Sequence, residues 1–264
     1  MAFLLSVSMF SSAAPKSELW SIWDSSVESN SEVIDHSLWQ QVLDKYLQGG
    51  HPSGINRFDY GAVNEEGEEL LTDYLDYLQE LDPRKYSKAE QQAYWINFYN
   101  ALTIQRMLEA YPVKSILKVG GGLFTWGPWD DALAEVAGEE LTLNDIEHRI
   151  LRPIWNDPRL HFAVNCASIG CPNLQAAAFT AENSEALLDL GAKEYLSHKR
   201  GAHFDDKGRL VLSKIFEWYG IDFGDSERAV IEALSRYAPE ALGQKMREYR
   251  GKVKYEYDWD LNKP

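Results

Sequence analysis

Residues 94–102 read Tyr94-Trp95-Ile96-Asn97-Phe98-Tyr99-Asn100-Ala101-Leu102, and the reading of this run decides the fold. It lies in a helical stretch that starts near Ser87, whose hydroxyl can cap it, with Glu90 three residues on. Pro112 stops the helix soon after about Ala110. Apolar side chains fall on nearly every face, which predicts a buried central helix and not an amphipathic surface one.

On the N-terminal side, Leu38, Val42, Leu43, Tyr46 and Leu47 form an apolar stripe at helical spacing, ended by Gly49-Gly50. Arg57–Tyr60 reads as a short extended piece. Leu70, Leu71, Tyr74, Leu75, Leu78 and Leu81 mark a second helix that stops before Pro83. On the C-terminal side, Gly120-Gly121-Gly122 is a turn without the Lys-Ser/Thr of a phosphate loop, so it carries no nucleotide role. Residues 135–141 read as a tight hairpin, and Thr142 or Asn144 then caps a helix from Asp145 to about Leu151. Leu160–Cys166 reads as a buried strand that opens into a turn over Ala167–Pro172. Residues 183–197 form an amphipathic helix, 226–248 hold one or two more, and Arg209–Leu212 and Val253–Tyr255 are short strands. Helices dominate, with short antiparallel strands between them, so the fold class is α+β.

The chain has 264 residues, 45% of them hydrophobic, with no break in composition that would divide it. It is expected to hold one domain over residues 35–262, preceded by a polar tail at 14–34. Residues 1–13 read as a signal peptide: the apolar run Ala2–Phe10 is followed by Ser11-Ser12-Ala13-Ala14, although no Lys or Arg precedes the run. That implies a periplasmic or secreted protein. No run is long enough to span a membrane as a helix. The net charge of −15 argues against nucleic acid, whose phosphates such a surface repels.

Reactive side chains are densest between 145 and 172. Leu143, Ile146 and Ile150 share one helical face, and Glu147 lies on it; a carboxylate there needs a partner. A structural role would pair Glu147 with a buried Arg and leave His148 to cap a backbone group. A catalytic role would make Cys166 a nucleophile, His148 its base and Glu147 the orienter of that base. Strand alternation puts His161, Ala163 and Asn165 on one face and Phe162, Val164 and Cys166 on the other, so His161 is not expected to meet Cys166. Asn165, with the amides of Ala167 and Ser168, would hold an oxyanion, and Arg152 and Arg159 would grip a substrate carboxylate. His161 joins these as a substrate-binding residue.

Cys166 and Cys171 are the only cysteines, and the intervening turn would let them close a small disulfide in an oxidising compartment. Cys166, Cys171, His148 and His161 are zinc-ligand types, but their spacing matches no common zinc motif, and neither metal nor cofactor is expected. His36, His51, His198 and His203 sit in polar surroundings and read as surface residues. The nine tryptophans read as core and rim packing.

The chain resembles the family catalogued as domain of unknown function 547. The resemblance lies in Tyr94–Leu102, Asp145–Arg152, Asp157–Ser168 closed by Cys171-Pro172, Leu212–Tyr219, and Tyr257–Asn262, five motifs in order. It implies a domain shared by bacterial exported proteins and by plant and animal relatives, and it implies no activity. A looser similarity to transglutaminase-like and papain-like folds would place the central helix against strands bearing His and an acid or Asn. Here Asn97 and Asn100 stand where those enzymes carry their Cys.

Two functions follow. The first is a binding or structural module of the cell envelope, in which the Glu/His/Arg/Cys cluster fixes the turn or takes a small anionic ligand or an envelope protein. The alternative is a thiol-dependent hydrolase or acyl transferase with Cys166 as nucleophile. The first is preferred from sequence, because a motif stays a hypothesis until geometry supports it.

Overall fold

The computed structural model describes residues 15–120 and 127–264. The expected signal peptide at 1–13, and Gly121 and Gly122 of the triple-glycine turn, lie outside the described residues. Its centre is α3, Lys88–Ala110, which opens as expected: Ser87 Oγ accepts from Glu90 N at 3.3 Å. Every residue from Glu90 to Ile104 is buried, so this helix is core on all sides. Packed against it is α2 (Glu65–Glu80), and α1 (Ser37–Tyr46) packs on α2; Val42, Leu43, Tyr46, Leu71, Tyr74, Leu75 and Leu78 of the two stripes are buried, joined by Trp39. Burying each large aliphatic or aromatic side chain of these helices is worth about 1.5–3 kcal/mol.

Two small hairpin-like pairs flank these helices: β1 (Leu47–Gln48) with β2 (Arg57–Phe58), and β3 (Ala134–Val136) with β4 (Glu139–Leu141). The second turns through Ala137 and Gly138, both at positive φ, the geometry of a tight primed turn. Beyond the 158–183 region come α5 (Ser184–Ser197), β5 (Ala202–Phe204) and β6 (Leu210–Ser213). Four short helices follow: α6 (Ile215–Trp218), α7 (Gly220–Phe223), α8 (Glu227–Leu234) and α9 (Glu240–Glu248). Ahead of α5 in the chain lies the one-turn helix α4 (Arg152–Trp155), and after α9 comes β7 (Lys254–Glu256). The three-stranded sheet runs β5-β6-β7, with β5 antiparallel and β7 parallel to β6. The whole is helix-rich α+β, as expected.

Three expectations need correcting. Residues 14–34, read as a polar tail, pack on the domain from Pro15 on: Glu18 N and Trp20 N donate to the carbonyls of His148 and Arg149, and Trp23 is buried against Trp95. His36, read as a surface residue, is 4% exposed, its Nδ1 2.7 Å from Tyr74 Oη. The segment expected as a strand, Leu160–Cys166, starts instead as a 3₁₀ helix over Pro158–Phe162. Asp157 caps it, its carboxylate accepting from Arg159 N at 2.8 Å, and Pro158 sits in its first turn. An Asp cap followed by Pro is a helix-start signal, and locally it outweighs the apolar run.

The core has two buried clusters, one around α3 and one around α5, the three-stranded sheet and α6–α8. Leu160, Ala163 and Val164 belong to the first and Phe162 to the second. The stretch 158–166 therefore runs along the seam between them, where a cavity opens.

Candidate functional site

A cavity of about 70 Å³ opens on this seam, and Glu147, His161 and Cys166 all line it. Glu147 reaches it from a π-helical turn, Asp145–Leu151, that continues into α4. Thr142 and Asp145 start that turn by bonding each other's amide N–H through their side chains, at 3.0 and 3.1 Å. A π-helical turn departs from the 3.6-residue period, and single turns of this kind are frequent at functional sites. Glu147 and His148, consecutive in the chain, are both buried.

The charged groups behind the cavity form one network. Arg152 Nε and Nη2 meet Asp222 at 2.6 and 3.0 Å, a two-pronged pair, and Arg152 Nη1 also donates to His148 Nδ1 at 3.0 Å. His161 Nε2 lies 2.6 Å from the same Asp222, and its Nδ1 lies 3.5 Å from Glu147. Tyr219 stacks on the His161 ring with centroids 4.6 Å apart and planes 12° off parallel. Burial would lower the His161 pKa, but Asp222 and Glu147 outweigh it and hold the pKa above the ordinary value, which favours the charged form of the ring. Burial pushes His148 down to about 4 against the pull of Glu147, leaving it neutral. Burial would raise the Glu147 carboxyl, yet the imidazoles and Arg152 around it bring it down to about 2.

Cys166 is half-buried at the cavity wall and Cys171 is buried; both are free cysteines, their sulfurs 2.7 Å apart. Ser168 Oγ at 3.2 Å and Tyr257 Oη at 3.1 Å complete the surroundings of Cys166 Sγ. Burial would raise the Cys166 thiol, but hydrogen bonds from Cys171, Ser168 and Tyr257 hold it below its ordinary value. Burial and the neighbouring sulfur push Cys171 well up. The next residue, Ala167, sits at φ 58°, a left-handed conformation that costs a non-glycine residue free energy. The central helix clamps this turn: Asn100 Oδ1 accepts from Asn165 N at 2.8 Å while its Nδ2 donates to Ala163 O at 3.0 Å. From the other side the C-terminal segment adds Ile169 N to Asp260 O at 2.7 Å and Gly170 N to Asp258 O at 2.8 Å. Only glycine fits at 170, because a Cβ there would stand 2.8 Å from the Asp258 carbonyl oxygen.

Several sequence assignments change place. His161, separated from Cys166 by the strand argument, shares its cavity, because a 3₁₀ helix and a turn do not alternate faces as a strand does. His148, expected as the base, does not line the cavity and is turned to Arg152. Glu147 is bonded to no arginine; Arg152 serves Asp222 instead. Arg159 holds Asp157, Glu185 and Asp189, and neither arginine lines the cavity, so the grip on an anionic ligand is not built here. The Asn165 side chain is spent on Pro172 O and the Ala167 amide, which removes both from an oxyanion role. Ser168 stays at the site through its hydroxyl. Among the described residues no three His, Cys, Asp or Glu side chains group as metal ligands.

Sequence reasoning missed Asp222, and it missed the aromatic wall of Trp129, Trp218, Tyr219, Tyr257 and Trp259. A signal was present, since Trp218-Tyr219 and Tyr257-Asp258-Trp259-Asp260 stand within two of the motifs that carry the resemblance. Residues 83–196 match the family model described as "Protein of unknown function, DUF547". This DUF547 segment is less than half of the chain. It holds α3, Glu147, His148, His161 and both cysteines, but ends before Asp222 and the C-terminal aromatic residues. The wider resemblance, drawn from motifs at 212–219 and 257–262, lies outside the matched segment. No curated protein and no solved structure matches the chain. Among the described residues no helix is long and apolar enough to cross a membrane.

Proposed function

We propose that this protein is a thiol-dependent hydrolase or acyl transferase, with Cys166 as nucleophile and His161, not His148, as the acid that works with it. The observation that carries this reading is the setting of Cys166 Sγ. It belongs to a half-buried residue on a cavity shared with Glu147 and His161, and three S–H or O–H groups at 2.7–3.2 Å can donate to its thiolate. A thiolate poised this way attacks an acyl carbon. The bond from sulfur to carbon forms as the bond to the leaving group breaks, and the leaving group takes a proton from His161. Water or an acceptor nucleophile then opens the thioester and returns a proton to His161. Glu147 and Asp222 orient the ring and favour its charged form.

One observation favours the other reading, a binding module without catalysis: no imidazole nitrogen is hydrogen-bonded to Cys166 Sγ, and both nitrogens of His161 face carboxylates. A single experiment separates the two. Reduced, native protein is treated with iodoacetamide at neutral pH, and an activated acyl ester is then supplied to untreated and treated samples. The thiol enzyme gives fast labelling of Cys166 and a burst of leaving group that labelling abolishes. A native protein that neither labels nor bursts is a binding module.

A further inference from the structure

The wall of the cavity asks for a particular chemistry. Trp218, Tyr257 and Trp259 pack with centroids 4.6–5.5 Å apart and planes inclined by 34–57°, and Trp129 meets Trp259 at 5.9 Å and 70°. Rings inclined like this make a curved wall and not a flat stack. Glu147 lines the same cavity, a residue 7% exposed whose nearest side-chain nitrogens are His161 Nδ1 at 3.5 Å and the neutral His148 Nε2 at 4.0 Å. Among the described residues the closest side-chain nitrogen to its oxygens is that of His161 at 3.5 Å, and a buried carboxylate held by so long a contact is costly. No Lys or Arg lines the cavity among the described residues.

The approach has the same sign. Each rim tryptophan has an exposed carboxylate beside it in the chain: Asp130 after Trp129, Glu217 before Trp218, and Asp258 and Asp260 on either side of Trp259. Asp130 accepts from Asn144 at 2.7 Å, Glu217 lies 3.6 Å from Lys214, and Asp258 accepts from the Asp260 amide at 3.0 Å, and all still face solvent. With a net charge of −15, the protein raises the local concentration of cations and repels anions.

We propose that the slot takes a compact cationic nitrogen group, an ammonium or methylated ammonium, seated against the Trp218, Tyr257 and Trp259 rings with Glu147 as its counter-ion. Aromatic faces attract cations, and a carboxylate on the same cavity adds charge pairing out of bulk water. A neutral apolar group would leave Glu147 with only the long contact to His161, and an anion would meet the carboxylate itself. The cavity of about 70 Å³ admits one such group and not a whole large ligand. The inference rests on the thiol-enzyme reading in that the group belongs to the substrate whose reactive bond reaches Cys166.

The test is a fluorescence titration of full-length protein, which carries tryptophans on the rim. Tetramethylammonium and methylammonium chloride are compared at constant ionic strength with neutral tert-butanol. The expected result is saturable binding of at least one cation, about tenfold tighter than the alcohol. Glu147→Gln should weaken it about tenfold, and Trp259→Leu, used once its circular dichroism and unfolding midpoint match the wild type, about threefold or more. Binding should persist in Cys166→Ser, so loss of thiol reactivity and loss of cation recognition read out separately. Absence of saturable cation binding to the folded wild type, equal binding of tert-butanol, or full affinity in Trp259→Leu overturns the proposal.

Discussion

His161 Nε2 and Asp222 Oδ2 lie 2.6 Å apart across 61 residues of chain, and the same carboxylate takes both prongs of Arg152. Asp222 is thus the node that joins α7 to the 3₁₀ helix and to α4, and it fixes the ring that shares a cavity with Cys166. Asp222→Asn keeps the shape and removes the charge, leaving His161 and Arg152 with an unpaired positive charge in a largely buried place. We expect a loss of about 2–4 kcal/mol, somewhat less than for a fully buried pair because the Asp222 side chain is 20% exposed. Urea unfolding measures it, and a change below about 0.5 kcal/mol would remove Asp222 from this role.

Protonation sets the acid side of the stability curve. His36 and His148 are both pushed down to about 4, chiefly by burial. Each binds a proton more readily when unfolded, near pH 6.5, than when folded, so stability falls as pH drops from about 6.5 to 4. His161 works the other way: its raised pKa gives stability that is complete below about 6.5 and lost as pH rises through the folded value. Glu147, held at about 2, adds stability above about 4.5 that is lost as pH falls towards 2. Unfolding midpoints between pH 4 and 7 test the first statement. A flat profile there would show that neither His36 nor His148 is neutral in the fold.

The two sulfurs predict an ordered reactivity. Cys166, half-buried and surrounded by donors, should alkylate first, and Cys171, which is buried, only after denaturation. Cys171→Ala deletes one donor to the thiolate, so labelling of Cys166 at neutral pH should slow, by about tenfold for each unit its pKa rises. Tyr257→Phe should act in the same direction. Mild oxidation should join the cysteines with a loss of two hydrogens and abolish labelling until reductant is added. Peptide mass mapping reads each of these outcomes, and preferential labelling of Cys171 in the native state would reverse the assignment.

Asn100 has a structural task next to the site. Asn100→Ala leaves Asn165 N and Ala163 O, both in buried residues, without partners. The expected cost is about 2–4 kcal/mol, with a turn around Cys166 that labels less selectively. A denaturation midpoint unchanged from wild type would mean that the turn holds itself.

Sequence alone determined the elements whose causes are local. The central helix was legible because a Ser cap, an unbroken apolar run and a following proline all act within one segment; the same holds for α1, α2 and the 134–141 hairpin. It also located the reactive stretch 145–172, and Glu147, His161 and Cys166 within it. Tertiary structure decided how those residues face one another. The Asp157-Pro158 start turned an apolar run into a 3₁₀ helix, which removed the face alternation that had kept His161 from Cys166. Asp222, Tyr257 and Trp259 come from segments 56 to 93 residues beyond Cys166; the two aromatics stand in a motif of the resemblance, but nothing local says which site they cover, and nothing marks Asp222 at all. Long-range packing alone brings them there, because the buried charges of Arg152 and His161 need a counter-charge and the Cys166 turn needs a covering segment.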